Sequence, residues 1–200
     1  MKKLAIFFYL VLGFYSASAT PLIGNYTINP LLPASTTNFL SFSSAITYLT
    51  TTDPRNDGGP ANTGAVGVSG PVKFTVSAGV YQSHITVPAI PGVSPTNRVI
   101  FEGVNAATTI IEVGATNQAT ILILNVNYVT FRNFTINNNA SGVTAGVFIM
   151  GSTANNSGTG CRISNCIINM PNATASGGSA HEAVDCPVML LWWPLVLALL

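Results

Sequence analysis

The chain has 200 residues, only 6% of them charged, and a net charge of +1. An average soluble domain is roughly 25% charged, so no basic stripe exists to neutralise nucleic-acid phosphates. The mean hydropathy of +0.47 excludes a charged disordered tail, and three cysteines in such a length exclude a disulfide-dense miniprotein.

Residues 1–19 combine Lys2-Lys3, an uncharged run from Leu4 to Phe14, and Ala17-Ser18-Ala19. A basic n-region, an apolar core and a small-x-small cleavage site predict a secretory signal peptide cut before Thr20. The apolar run is shorter than the roughly 20 residues of a membrane helix. The expected destination is the extracellular space or outer cell surface.

Residues 20–70 read as an N-terminal cap with one helix and a loop. The spacing of Phe39, Phe42, Ile46 and Leu49 predicts a helix over Thr36–Thr51, with Thr37, Asn38 or Ser41 as its cap. A turn-rich stretch, Thr52 to Gly70, follows.

From Pro71 the pattern changes to short β-rich runs: Val72–Val76, His84–Val87, Arg98–Glu102, Thr109–Val113, Thr120–Leu124, Tyr128–Phe131, Phe134–Ile136, Gly146–Met150, Cys161–Ser164 and Cys166–Asn169. Gly, Asn and Pro punctuate them, which predicts an all-β body over 71–172. Val129, Phe131, Asn133, Phe134 and Ile136 recur as Cys161, Ile163, Asn165, Cys166 and Ile168 at an offset of 32. In both segments the alternation breaks phase at the Asn. A strand, a tight corner at Asn133 or Asn165 and a second strand would produce that break, since Asn tolerates left-handed backbone. Stacked coils would bring Asn133 and Asn165 together, within reach of amide hydrogen bonds. A coiled parallel stack accounts for this repeat better than a sandwich does.

Residues 173–200 are an atypical apolar tail. Pro187 to Leu200 carries no charge and includes Trp192-Trp193-Pro194. Two readings stand: a short membrane-inserting tail, and a departure from the proper reading frame near residue 175. The second is favoured because the repeat stops there.

The body resembles a right-handed parallel β-helix of the pectin-lyase-like superfamily. The resemblance rests on Pro71 to Val76, Ala78-Gly79-Val80-Tyr81, Ile85-Thr86-Val87, Val99 to Gly103 and Thr108 to Ile111, then on the coils Tyr128–Ile136 and Cys161–Ile168. The order of signal, helix, Gly67-Val68-Ser69-Gly70-Pro71-Val72 and Gly-x-Tyr is similar to large secreted or surface proteins of Bacteroidetes-type bacteria. The resemblance implies an all-β solenoid with a short N-terminal capping helix. It also implies further coils that this chain lacks, hence a truncated or frame-disrupted copy.

Families on this fold process acidic polysaccharides with clustered Asp or paired carboxylates. Here Glu102 and Glu112 lie ten apart, and no Asp occurs between Asp57 and Asp185. No catalytic residue, metal site or cofactor is therefore assigned. Asp53-x-x-x-Asp57-Gly58 is read as a solvated turn in preference to a calcium loop, because Arg55 stands at the third position. His84 is read as a surface or packed residue. Together with His181, Cys161, Cys166 and Cys186 it lacks zinc-site spacing. Cys161 and Cys166 are read as small buried hydrophobes, with a disulfide across the corner as the alternative. Arg132 and Arg162 are read as repeating with the same period. They form either an outward solvated row, which is favoured, or a contact for anionic sugars.

The expected function is that of a non-catalytic secreted or surface protein serving adhesion or glycan contact, with extracellular polysaccharide as its partner. The alternative is the N-terminal piece of a pectin lyase- or esterase-like enzyme whose catalytic residues lie on further coils.

Overall fold

The computed structural model describes residues 21–114, 119–139, 146–151, 158–171 and 181–182. The predicted signal peptide, Cys186 and nearly all of the apolar tail lie outside them. The described residues are mostly β, with one helix.

The described residues open with β1 (Leu22–Ile28) and the two-residue β2 (Asn38–Phe39), followed by α1 (Phe42–Thr50). The chain then runs through three strands at a time. The first turn is β3 (Val68–Val76), β4 (Gly79–Gln82) and β5 (Ile85–Val87). The second is β6 (Val99–Gly103), β7 (Thr109–Val113) and β8 (Ile121–Leu124). The third is β9 (Val129–Arg132), β10 (Thr135–Asn138) and β11 (Val147–Met150). A fourth begins with β12 (Arg162–Ser164) and β13 (Ile167–Asn169). Like members of successive turns pair, giving sheet A (β12-β9-β6-β3-β1-β2), sheet B (β13-β10-β7-β4) and sheet C (β11-β8-β5). Every pairing among these is parallel. The exception in the structure is β14 (His181–Glu182), which runs antiparallel along β13. Parallel strands need a crossover; here the crossover of each sheet is the other two sheets.

The period-2 alternation places one residue set inside and the other outside. Phe74, Phe101 and Phe131 are register partners in sheet A. Their rings stack at 5.0 and 4.8 Å with interplanar angles of 12° and 17°. Tyr26 continues the column on one side and Ile163 on the other. Inward aliphatic residues of sheets B and C, Ile111, Ile136, Ile121 and Ile123 among them, complete a core without exposure.

The corners between sheets A and B have a chemical cause. Asn133 and Asn165 adopt left-handed backbone, φ 62° and 50°, and so end one strand and re-aim the next. Asn165 Nδ2 donates to Asn133 Oδ1. Gly103 sits at the equivalent corner of the second turn, where a Cβ would fall 2.2 Å from the Asn133 carbonyl oxygen.

The helix is shorter than its apolar spacing predicts. Phe39 belongs to β2, and the N-cap is Ser41, whose hydroxyl accepts from Ser44 N–H at 3.1 Å. Asn38 explains the late start. Its buried amide donates to the carbonyls of Asn29, Leu32 and Pro33, which holds the chain extended there. Phe42, in the first helical turn, enters the core and touches the rings of Tyr81, Phe101, Phe131 and Phe134. Strands β1 and β2, β4 and the β3 residues before Pro71 come in addition to the strands expected from alternation.

Candidate functional site

Sheet A turns one face to solvent, and its register fixes what that face carries. Lys73, Ile100, Thr130 and Arg162 form one cross-strand row. Thr75, Glu102, Arg132 and Ser164 form the next. Arg132 and Arg162 thus share a face but not a row. They lie 30 residues apart, not the 32 of the corner repeat, which shifts Arg162 to the position opposite Thr130. The expectation that they repeat with one period is corrected accordingly.

Glu102 lies between two cations on this face, 3.4 Å from Lys73 Nζ and 2.9 Å from Arg132. The Arg132 hydrogen bond, with smaller help from its charge and from Lys73, holds the Glu102 carboxyl below its ordinary range against the opposing effect of burial. Arg132 Nε is buried without a hydrogen-bond partner among the described residues. Three cations and one acid therefore share the face, and the sequence reading missed Lys73. Its alternation with Phe74 was the available signal.

Glu112 belongs to sheet B, where it accepts from Gln82 Nε2 at 3.1 Å and Asn137 Nδ2 at 3.2 Å. Those amides, Gln82 first, lower its pKa. Asn169 Nδ2 extends the row by donating to Asn137 Oδ1 at 2.9 Å. This second Asn pair has the same 32-residue offset as Asn133 and Asn165, so the repeat could have revealed it. Glu102 and Glu112 stand on different sheets and both favour ionisation. A two-carboxylate hydrolysis instead needs one acid kept protonated beside the scissile bond.

The Asp53–Gly58 segment differs from the solvated turn expected. Arg55 and Asp57 form an ion pair whose side chains are 0% and 3% exposed. The guanidinium donates to the Ser35 and Asn38 carbonyls and lies 4.2 Å from the Phe39 ring centre. Asp57 also accepts from the Leu40 and Gly59 N–H groups, each at 3.0 Å. Burial opposes its ionisation, but these hydrogen bonds and the Arg55 charge outweigh it and bring the pKa down to about 2.

His84 and the two described cysteines are engaged as well. His84 Nδ1 lies against the Ala119 carbonyl, and its Nε2 lies 3.1 Å from the Thr86 hydroxyl. A carbonyl only accepts, so Nδ1 carries a proton. Cys161 and Cys166 are free, buried thiols, not a disulfide. Burial pushes both above the ordinary thiol range, which makes them poor nucleophiles. No three His, Cys, Asp or Glu side chains gather as metal ligands among the described residues. No described helix is long and apolar enough to cross a membrane.

No family matches the chain, and neither the curated proteins nor the solved structures contain a match.

Proposed function

We propose that the chain is an exported β-helix protein, secreted or held at the outer cell surface, that contacts extracellular polysaccharide without catalysing a reaction on it. The right-handed, pectin-lyase-like form of the helix is part of this proposal. The observation that carries it is the solvent face of sheet A, which holds Lys73, Arg132 and Arg162 against the single acid Glu102. Five basic residues occur between positions 20 and 186, and three of them share this one face. Arginine suits carboxylate-bearing sugars through its planar, bidentate fork. The rows run along the stacking axis with a repeat of about 4.8 Å, so an extended chain could meet successive strands.

Affinity electrophoresis through gels containing polygalacturonate or neutral dextran tests the reading. The chain is expected to be retarded by polygalacturonate alone, and less so as ionic strength rises. R132A/R162A should lose most of the retardation while keeping its melting temperature within a few degrees. Equal retardation by dextran, or an undiminished effect in the double variant, would sink this reading. Turnover of polygalacturonate to reducing or unsaturated sugar that survives purification would replace it with the processing-enzyme alternative.

A further inference from the structure

The two ends of the stack expose apolar surface in complementary ways. At one end the loop joining β1 to β2 presents Leu31 at 86% and Leu32 at 50% exposure. This loop is tightly pinned. Asn29 Oδ1 accepts from Leu31 N–H, and Leu32 N–H donates to the Asn29 carbonyl. Asn38 binds three loop carbonyls, and Arg55 clamps the Ser35 carbonyl. Desolvated polar groups are thus committed to a segment whose most prominent side chains are two leucines in water. A preordered loop of this kind gives up little entropy on docking. No charged residue occurs between positions 21 and 52, and the Arg55–Asp57 pair that touches the loop is buried.

At the other end the inward columns come into the open. Ile123 is fully buried, but its register partner Ile149 in the next turn is 36% exposed. Phe131 is fully buried, but its partner Ile163 is only partly so, whereas β14 lies along β13 at Ile167 and Ile168. Beside them Met150 is 40% exposed. Among the described residues β11 and β12 each pair on one side only, with β8 and β9. Unpaired edges of this kind are templates for another chain. All of sheet A is parallel, so a copy set further along the same axis keeps the sense of its strands.

We propose that copies of this chain associate head to tail, with Leu31 and Leu32 of one copy packing on the Ile149, Met150 and Ile163 edge of the next. The contact is heterologous, so it propagates instead of closing at a dimer.

Sedimentation velocity of the full chain across a concentration series tests this. The weight-average coefficient should rise with concentration. L31D/L32D should remain monomeric, and so should M150D at the opposite end. Both substitutions fall on exposed side chains, and unchanged circular dichroism would confirm that each variant folds. An equimolar mixture of the two variants should form a 1:1 pair and nothing larger, since each retains the surface the other lacks. Self-association of either variant alone would overturn the head-to-tail arrangement. A full chain that stays monomeric at every concentration would overturn the proposal. If a chain ending at Glu182 then associates, the residues beyond it cover that end. If the monomer instead floats with neutral phosphatidylcholine vesicles through Leu31 and Leu32, the leucines serve a lipid surface.

Discussion

Asp57→Ala is expected to lower the unfolding free energy by about 3–5 kcal/mol, the usual consequence of stranding one member of a buried ion pair. Arg55 cannot shed its charge, and its side chain has no exposure. Without Asp57 the guanidinium keeps two carbonyls and the Phe39 ring but loses its counter-ion. The Leu40 and Gly59 N–H groups lose their acceptor as well. Urea denaturation at neutral pH measures the loss. The double replacement R55M/D57L should recover much of it, because an apolar pair carries no stranded charge.

The same residue gives the protein an acid limb. Its folded pKa of about 2 lies below its ordinary value of 3.8. A depressed carboxylate contributes stability above the unfolded pKa and loses it as pH falls through the folded one. The wild-type denaturation midpoint should therefore decline between about pH 4 and pH 2. Asp57→Ala should flatten that decline. A variant with the wild-type midpoint and the wild-type acid limb would show that the pair does not organise the cap.

Phe101→Ala is expected to cost about 3–5 kcal/mol, the range for removing a buried aromatic ring from a core. Phe101 has no exposure and lies between Phe74 and Phe131 at 5.0 and 4.8 Å, with Phe42 of the helix at 5.9 Å. One substitution therefore opens a cavity that touches three turns and the helix. Strands fixed in register cannot easily collapse into it. Phe101→Leu should recover part of the loss. A loss below about 1 kcal/mol in Phe101→Ala would mean that the column is not the continuous core described.

Alternation and the Asn133/Asn165 phase break made the outer turns legible, because strand period and left-handed corners are local properties. Most β-strands of the three turns follow directly from them. The number of turns was harder to read. Register partners lie 36 residues apart from β5 to β8 but 25 from β7 to β10, since the connecting segments absorb different lengths without disturbing the stack. A fixed-period repeat is therefore visible only where two turns happen to match. β1 contains Gly24, at φ 100°, and Asn25, which blur its strand signal. Phe39 fits helical spacing by coincidence; in β2 its carbonyl accepts from Asn29 N–H, while Asn38 and Arg55 pin the chain around it. The Arg55–Asp57 pair was illegible because its reason lies in carbonyls 17 and 20 residues earlier. On the candidate face the sequence singled out Arg132 and Arg162. It could not place Lys73 and Glu102 beside them, since that needed the cross-strand register.

The chain returns to the same sheet with each turn, so that Thr75, Glu102, Arg132 and Ser164 form one row. Pulsed electron paramagnetic resonance between spin labels at positions 75 and 164 tests this most directly, with the native thiols first checked to be unreactive in the folded chain. Three inter-strand steps of about 4.8 Å put the two backbones about 14 Å apart. A narrow distribution near 15–20 Å, allowing for the label arms, is the expected result. A broad distribution, or one centred beyond about 30 Å, would contradict the stacked turns.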